Sequence, residues 1–342
     1  MGGIIANKDV LEEDYIPQNI PCRETQKREL RFCLASIEKG TRTLDCLCYG
    51  KPGVGKTIFV KSLLDQIEEN TNSFAFYVNC WKNTTLNQIL DELLRQVKLP
   101  IVEANHAVKL AGLKRKIGDR ACVIALDEVD KLSEKDLNDI FYLLKELGKV
   151  GLVCISNTRK YFLGLDERVI SRVSSNSINF PPYSNEELMV ILRHRIENCK
   201  ALYPGTCPKE VLVEIADLSA GDARAAIQTL RNAACIAEKA NRNKIIAEDV
   251  KQAYKGVNGI KRKYTLEKLG FHHKLIFEIV EKNPMITSTN FYESYKNQVK
   301  GQGLTPQSMR TFSNYVNQLI KLGYLKIDRA KARGNVRVFN IV

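Results

Sequence analysis

The sequence predicts an α/β protein: a parallel sheet flanked by helices, then a wholly helical segment, then a small basic domain of helices closed by a hairpin. Three observations carry this. Short apolar runs alternate with helical patterns as far as Pro181-Pro182, the apolar spacing becomes helical throughout from Ser184 onward, and the last quarter of the chain turns strongly basic.

Strand candidates are Leu44 to Tyr49, Phe74 to Asn79, Cys122 to Leu126, Leu152 to Ser156 and Ser177 to Phe180. Each is short and rich in β-formers. Between them, Arg23 to Lys39, Thr57 to Glu69, Leu86 to Val97 and Glu134 to Gly148 read as helices. Pro181-Pro182 ends the last strand, because proline donates no ladder hydrogen bond and holds its predecessor extended. Ser184 with Glu187 three residues on has the form of a capping box. It opens a helical segment of Asn185 to Cys199, Pro208 to Asp217, Asp222 to Ala240 and Ala247 to Tyr254. Gly256, Gly259 and Lys261-Arg262-Lys263 read as a basic linker. Helices near Leu266 to Glu281, Ser288 to Gln298 and Thr305 to Leu322 follow, and then two extended runs, Tyr324 to Asp328 and Val336 to Ile341, around a Gly-containing polar turn. Helices followed by such a hairpin describe a winged helix. The expected divisions are 1–184 for the α/β domain, 185–258 for a helical lid and 262–342 for the winged helix.

A chain of 342 residues is long enough for two or three such units, each with its own core. The formal charge is +13, and from Lys261 to Val342 there are 15 Lys and Arg against 5 Asp and Glu. Charge gathered in one domain points to a polyanion as partner. The ten cysteines sit singly in apolar segments with no CxxC pair, which fits a reduced compartment. Cys46 and Cys48, on one face of a strand, need no metal. No apolar run reaches the roughly 18 residues of a membrane span, and no charged leader precedes an apolar stretch. The expectation is a soluble cytoplasmic protein, without a membrane partner and associated with the nucleoid.

Gly50-Lys51-Pro52-Gly53-Val54-Gly55-Lys56-Thr57 matches GxxxxGK[ST] between an apolar strand and a helical pattern, the context this phosphate-binding loop requires. Gly53, Val54, Gly55 and the helix start through Ile58 would turn backbone N–H groups toward phosphate oxygens, with the positive end of the helix behind them. Lys56 would hold the β and γ phosphates of ATP or ADP and Thr57 the Mg²⁺. Cys122 to Leu126 is a buried strand running into Asp127 and Glu128, at the strand end where open α/β sheets place their sites. Asp127 would orient Mg²⁺, directly or through water, and Glu128 would polarise the attacking water. The fourth strand ends in Ser156-Asn157, where the Asn157 amide can help hold that water.

These motifs, with Leu126 to Asp130 as the LDExD form of the second and Ser156-Asn157 as a sensor, resemble those of an AAA+ P-loop ATPase with a helical lid. Further segments narrow the resemblance: Asp14-Tyr15-Ile16-Pro17 with Pro21-Cys22-Arg23-Glu24, Arg168-Val169-Ile170-Ser171, Ile178 to Ser184, and Gly221-Asp222-Ala223-Arg224-Ala225-Ala226. Together they are similar to the archaeal relatives of the largest origin recognition complex subunit and of the cell-division-cycle helicase loader, over nearly the whole chain. Cys22 departs from the His common before the Arg-Glu pair. The resemblance implies a replication initiator that binds double-stranded origin DNA, helps recruit the replicative helicase, assembles with other initiator subunits, and uses slow ATP hydrolysis as a switch. It implies further that Tyr15 and Ile16 pack against adenine, that Tyr183 belongs to the nucleotide-binding set and that Arg224 reaches the phosphates from the lid. An arginine, Arg168 or its near competitor Arg172, would serve a neighbouring subunit's nucleotide, since a planar fixed charge suits a γ-phosphate. An initiator-specific insertion within Asn83 to Lys116 would offer Lys109, Lys114 and Arg115 to DNA. Two other classes fit parts of the chain: a DNA motor of the branch-migration kind, and a nucleotide-gated transcription regulator.

In the winged helix, Thr305-Pro306 reads as the start of the helix that enters the major groove. Met309, Phe312, Val316, Leu319 and Ile320 would face the core, leaving Gln307, Ser308, Arg310, Thr311 and Asn314 toward DNA. Arg310 is the base-reading candidate, since a guanidinium can pair bidentately with guanine. Arg329, Lys331, Arg333 and Arg337 of the hairpin would contact phosphates or the minor groove.

Overall fold

The computed structural model describes residues 3–341 apart from 102, 160–161, 163, 323 and 331–335, with the backbone alone at 258–268, 321, 329–330 and 336. Two units form, Met1–Tyr254 and Lys255–Val342.

The first unit opens with α1 (Glu24–Leu34), β1 (Cys46–Tyr49), α2 (Lys56–Asn70) and β2 (Phe74–Asn79). It continues through α3 (Leu86–Gln96), α4 (His106–Ile117), β3 (Cys122–Asp127), α5 (Glu134–Lys145), β4 (Val150–Ser156), α6 (Glu167–Ser174) and β5 (Ser177–Asn179). All five strands are parallel, in the order β2-β3-β4-β1-β5. Every residue of β3 and β4 is buried, because a parallel sheet is covered on both faces and its central strands must be apolar throughout. Strand alternation sorts the side chains. Cys122, Ile124 and Leu126 join Leu152 and Cys154 against α3, α4 and α5, whereas Val123, Ala125, Val153 and Ile155 face α1 and α2. In this order β4 lies between the strand leading to the glycine-rich loop and the strand ending in Asp127. The three strand ends expected to carry chemistry therefore stand side by side.

α7 (Asn185–Arg193), α8 (Lys209–Ser219), α9 (Ala223–Lys239) and the start of α10 (Ala247–Lys268) enclose a separate apolar core. Ser184 and Glu187 do form the capping box at α7. The same core takes in Ile4, Val10 and Leu11 of the N-terminal segment, whose Ile4 and Ile5 N–H groups both donate to Glu238 Oε1 at 2.7 and 2.9 Å. α10 differs from expectation: Gly256 and Gly259 lie within the helix instead of an open linker. A helical glycine costs about 1 kcal/mol relative to alanine, a cost the flanking Lys, Arg, Leu and Glu can offset.

The second unit holds α11 (Phe271–Lys282), β6 (Ile286–Thr287), α12 (Ser288–Gly301), α13 (Met309–Lys321), β7 (Leu325–Ala330) and β8 (Val336–Ile341). Its antiparallel sheet runs β6-β8-β7 over a core of Ile276, Ile279, Phe291, Tyr295, Phe312, Leu319 and Phe339. Helix, strand, two helices and a hairpin is the order of a winged helix, and β6 is the strand too short to show as a pattern. Among the described residues no helix is long and apolar enough to cross a membrane.

Candidate functional site

The glycine-rich loop is shaped by close approaches that exclude side chains. Gly53 and Gly55 have φ of +78° and +87°, and a Cβ on Gly53 would come within 1.9 Å of an Asp222 carboxylate oxygen. Gly55 is the N-cap of α2 and offers no side chain to the first-turn N–H groups, which stay available to an anion. Behind the loop lies Arg23, 3% exposed, whose guanidinium donates to Val54 O at 3.1 Å and Pro181 O at 2.8 Å and sits 3.6 Å from the centre of the Tyr183 ring. A trans peptide points its C=O and the next N–H in opposite directions. By drawing the Val54 carbonyl backward, Arg23 turns the Gly55 N–H forward.

Lys56 Nζ is held by Gly50 O at 2.8 Å, Lys51 O at 2.9 Å and Asn157 Oδ1 at 3.1 Å, which ties β4 to the loop. Burial lowers the Lys56 pKa, opposed by the charges of Asp127 and Asp130. Asp127, 3% exposed, accepts from Thr57 Oγ1 at 2.7 Å and the Tyr77 hydroxyl at 2.7 Å on Oδ2, and from Glu128 N at 2.9 Å on Oδ1. Glu128 stands in the left-handed region at φ +54°, where the chain turns sharply off β3. Burial first, and then the Asp127 charge, raises its carboxyl pKa. Ser156 Oγ and Asn157 N both donate to Asp130 Oδ1, at 3.2 and 3.3 Å, fixing the end of β4.

One cavity of about 140 Å³ collects Gly53, Gly55, Lys56, Thr57, Ile58, Asp127, Glu128, Asn157 and Arg224. Ionised carboxylate and hydroxyl oxygens suit a hard divalent cation, and the glycine cradle with Lys56 suits phosphates, so the residues present fit a nucleotide with its metal. At the far end the wall is Glu12, Glu13, Arg195, Ile227 and Gln228, residues that no motif singled out. Arg195 is buried with its guanidinium donating to Val10 O at 2.8 Å and Tyr15 O at 3.2 Å. Arg224 pairs with Glu13 at 3.7 Å.

Two family models match, one described as an AAA domain over residues 43–159 and one as a Cdc6 AAA+ ATPase-type lid domain over residues 189–255. ORC1-type DNA replication protein 1 of Sulfurisphaera tokodaii is 32% identical across 94% of this chain and 85% of its own. The chain belongs to the ORC1-type DNA replication protein family. Among solved structures, the Aeropyrum pernix ORC1 protein in complex with DNA is 27% identical, with a TM-score of 0.75 over 100% of this chain and 94% of its own. Cdc6p of Pyrobaculum aerophilum, 24% identical with a TM-score of 0.69 over 99% of this chain and 94% of its own, shares the fold. This ORC1-type chain is thus a DNA replication protein built on a nucleotide-binding AAA+ ATPase core.

Several expected site residues stand elsewhere. Lys109 is not available to DNA: it is 3% exposed, and its ammonium is spent on Asn87 Oδ1 at 2.7 Å and Asp91 Oδ1 at 2.5 Å. Lys114 and Arg115, further along α4, are exposed. Tyr15 stacks on Arg195, 4.8 Å from ring centre to guanidinium, and Ile16 lines a separate cavity with Lys61 and Leu64, so neither borders the nucleotide cavity. Tyr183 is buried, with its ring against Arg23 and its hydroxyl beside Gly55, and the Val54 side chain is buried while its backbone remains part of the loop. Arg168 and Arg172 are exposed on α6, outside their own cavity. In the second unit, α13 begins at Met309, not at Thr305-Pro306, because the Ser308 hydroxyl caps it by accepting from Thr311 N at 3.3 Å. Ser308 is thereby occupied as a cap, and Met309 is 49% exposed instead of facing the core. Arg310 and Asn314 are exposed, Thr311 is half-buried, and Gln307 packs by its backbone against Tyr292 and Tyr295. Arg329 and Arg337 are register partners in the β7–β8 ladder. Lys331 and Arg333 lie outside the described residues.

Proposed function

We propose that this chain is an ATP-dependent replication initiator that binds double-stranded origin DNA, helps recruit the replicative helicase and uses slow hydrolysis as a switch. The observation that carries the reading is the grouping of Lys56, Thr57, Asp127, Glu128 and Asn157 in one cavity closed by Arg224 of the lid. Lys56 binds the β and γ phosphates, Thr57 and Asp127 hold Mg²⁺, and Glu128 takes the proton of the attacking water. Asn157 positions that water. When bound, the cation would supply charge neutralisation at the phosphates.

Arg224, paired with Glu13 in the cavity wall, would reach the phosphates from α9 of the lid. The winged helix holds DNA, with Arg310, Thr311, Asn314 and Gln307 toward bases and Arg329, Lys331, Arg333 and Arg337 toward phosphates; Lys114 and Arg115 add contacts from α4. The excess of basic residues beyond Lys261 supports this, as does the DNA complex of the Aeropyrum pernix relative. Genome-wide footprinting of the full chain with ATP bound tests the reading: protection should concentrate at origins and weaken in Lys56→Ala. Sites gathered at promoters would support a transcription regulator instead.

A further inference from the structure

Asp127 has a second side-chain donor that no motif predicts. Tyr77 stands in register with Ala125 on the neighbouring strand, and Ala125 and Asp127 point to the same face of the sheet, two residues apart. From that position a phenol is long enough to reach diagonally along the face to residue 127. The Tyr77 hydroxyl donates to Asp127 Oδ2 at 2.7 Å, the same oxygen that takes the Thr57 hydroxyl at 2.7 Å. α2 covers this face and closes the arrangement: Lys61, one turn beyond Thr57, lays its ammonium 4.2 Å from the Tyr77 ring centre. Gln96 fixes the Tyr77 backbone from the other side, accepting from its N–H at 3.2 Å and donating to its carbonyl at 2.7 Å. The phenol is thus placed by three elements, and its only polar atom is aimed at the carboxylate.

We propose that Tyr77 is a positioning residue for the divalent-cation site, holding the Asp127 carboxylate in one orientation so that the carboxylate keeps it when the Thr57 hydroxyl changes partner. The inference rests on the reading of Thr57 and Asp127 as the cation-binding pair. A hydrogen bond to an ionised acceptor is about twice as strong as a neutral one, and losing a comparable partner of a metal-binding group typically costs 10- to 100-fold in metal affinity.

The test is equilibrium binding of a fluorescent ADP analogue to the full chain across a Mg²⁺ titration, for the natural protein and Tyr77→Phe. The phenyl ring keeps the fit against Lys61 and removes the hydroxyl alone. With chelator present, the two proteins should bind ADP within about twofold of each other, while the Mg²⁺ concentration at half-effect should rise about tenfold in the variant. At saturating Mg²⁺ its turnover should recover. A Mn²⁺ titration read by electron paramagnetic resonance at saturating ADP should show the same shift, and it reads metal occupancy without turnover. An unchanged half-point, with a lower thermal midpoint as the only effect, would make Tyr77 purely structural and overturn the proposal. A lower Mg²⁺ requirement would overturn it too, since the phenol would then compete with the metal. If Mg²⁺ alters ADP binding in neither protein, the cation site itself has been misread, and both readings fall together.

Discussion

Glu128 is pulled two ways: a general base must be ionised, yet burial and the neighbouring Asp127 charge favour its protonated form. Its pKa is therefore raised, and the base is lost as pH falls through that raised value. The acid limb of kcat for ATP hydrolysis should lie above pH ~4.3, the ordinary glutamate value. Glu128→Gln should abolish hydrolysis and leave ATP binding within a few-fold; a variant that still hydrolyses at the natural rate removes Glu128 from the chemistry. Lys109 makes the opposite case, a basic residue whose charge is structural. Its ammonium is buried against exposed Asn87 and half-buried Asp91, so Lys109→Met removes two hydrogen bonds whose partners can turn to water. Stability should fall by about 1 kcal/mol in urea unfolding, with duplex affinity unchanged. Loss of DNA binding at constant stability would return Lys109 to the interface.

At the scale of elements, the sheet was legible because central parallel strands are apolar along their whole length, and the loop after β1 because its glycines and lysine are fixed by phosphate geometry. The cap at Ser184 was legible too, and it accepts the Glu187 N–H. What stayed hidden depends on distant partners. Glu12, Glu13 and Arg195 reach the cavity only because the N-terminal segment packs into the lid core, and Tyr77 reaches Asp127 across a strand pairing. Thr305-Pro306 was misread as a helix start because Ser308, three residues on, caps as well and has room to do so. The correct register of α13 leaves Arg310 exposed near its N-terminus, and Arg337 is exposed on β8. These two should separate in a salt titration of duplex binding. Arg337→Ala should weaken all sequences alike and flatten the salt slope by about one, whereas Arg310→Ala should mainly erode discrimination between sites. Equal loss on all sequences from both variants would deny base reading to α13.

For the whole molecule, the arginines of the nucleotide cavity decide whether one copy suffices for hydrolysis. Among the described residues lining it, only Arg195 and Arg224 are arginines, and Arg195 is committed to Val10 and Tyr15. Arg224 comes from the lid, so among the described residues lining the cavity no further arginine supplies a fixed positive charge. Arg168 and Arg172 are exposed on α6 and free to face another copy's γ-phosphate. An arginine delivered in trans contributes about 10³ to 10⁵ in rate in other phosphoryl-transfer systems, so an isolated copy should hydrolyse slowly and specific activity should climb with protein concentration on DNA. Complementation is the sharper measurement. Arg168→Ala keeps an intact cavity and lacks the donated arginine, while Glu128→Gln lacks the base and can still donate. Each alone should be nearly inactive on DNA, and their mixture should regain activity, since a Glu128→Gln copy can complete the cavity of an Arg168→Ala neighbour. If Arg172 is the donated residue, the same rescue should appear with Arg172→Ala and not with Arg168→Ala. Activity independent of concentration, together with full activity in both arginine variants, would mean that each copy completes its own site and that assembly on DNA plays no part in turnover.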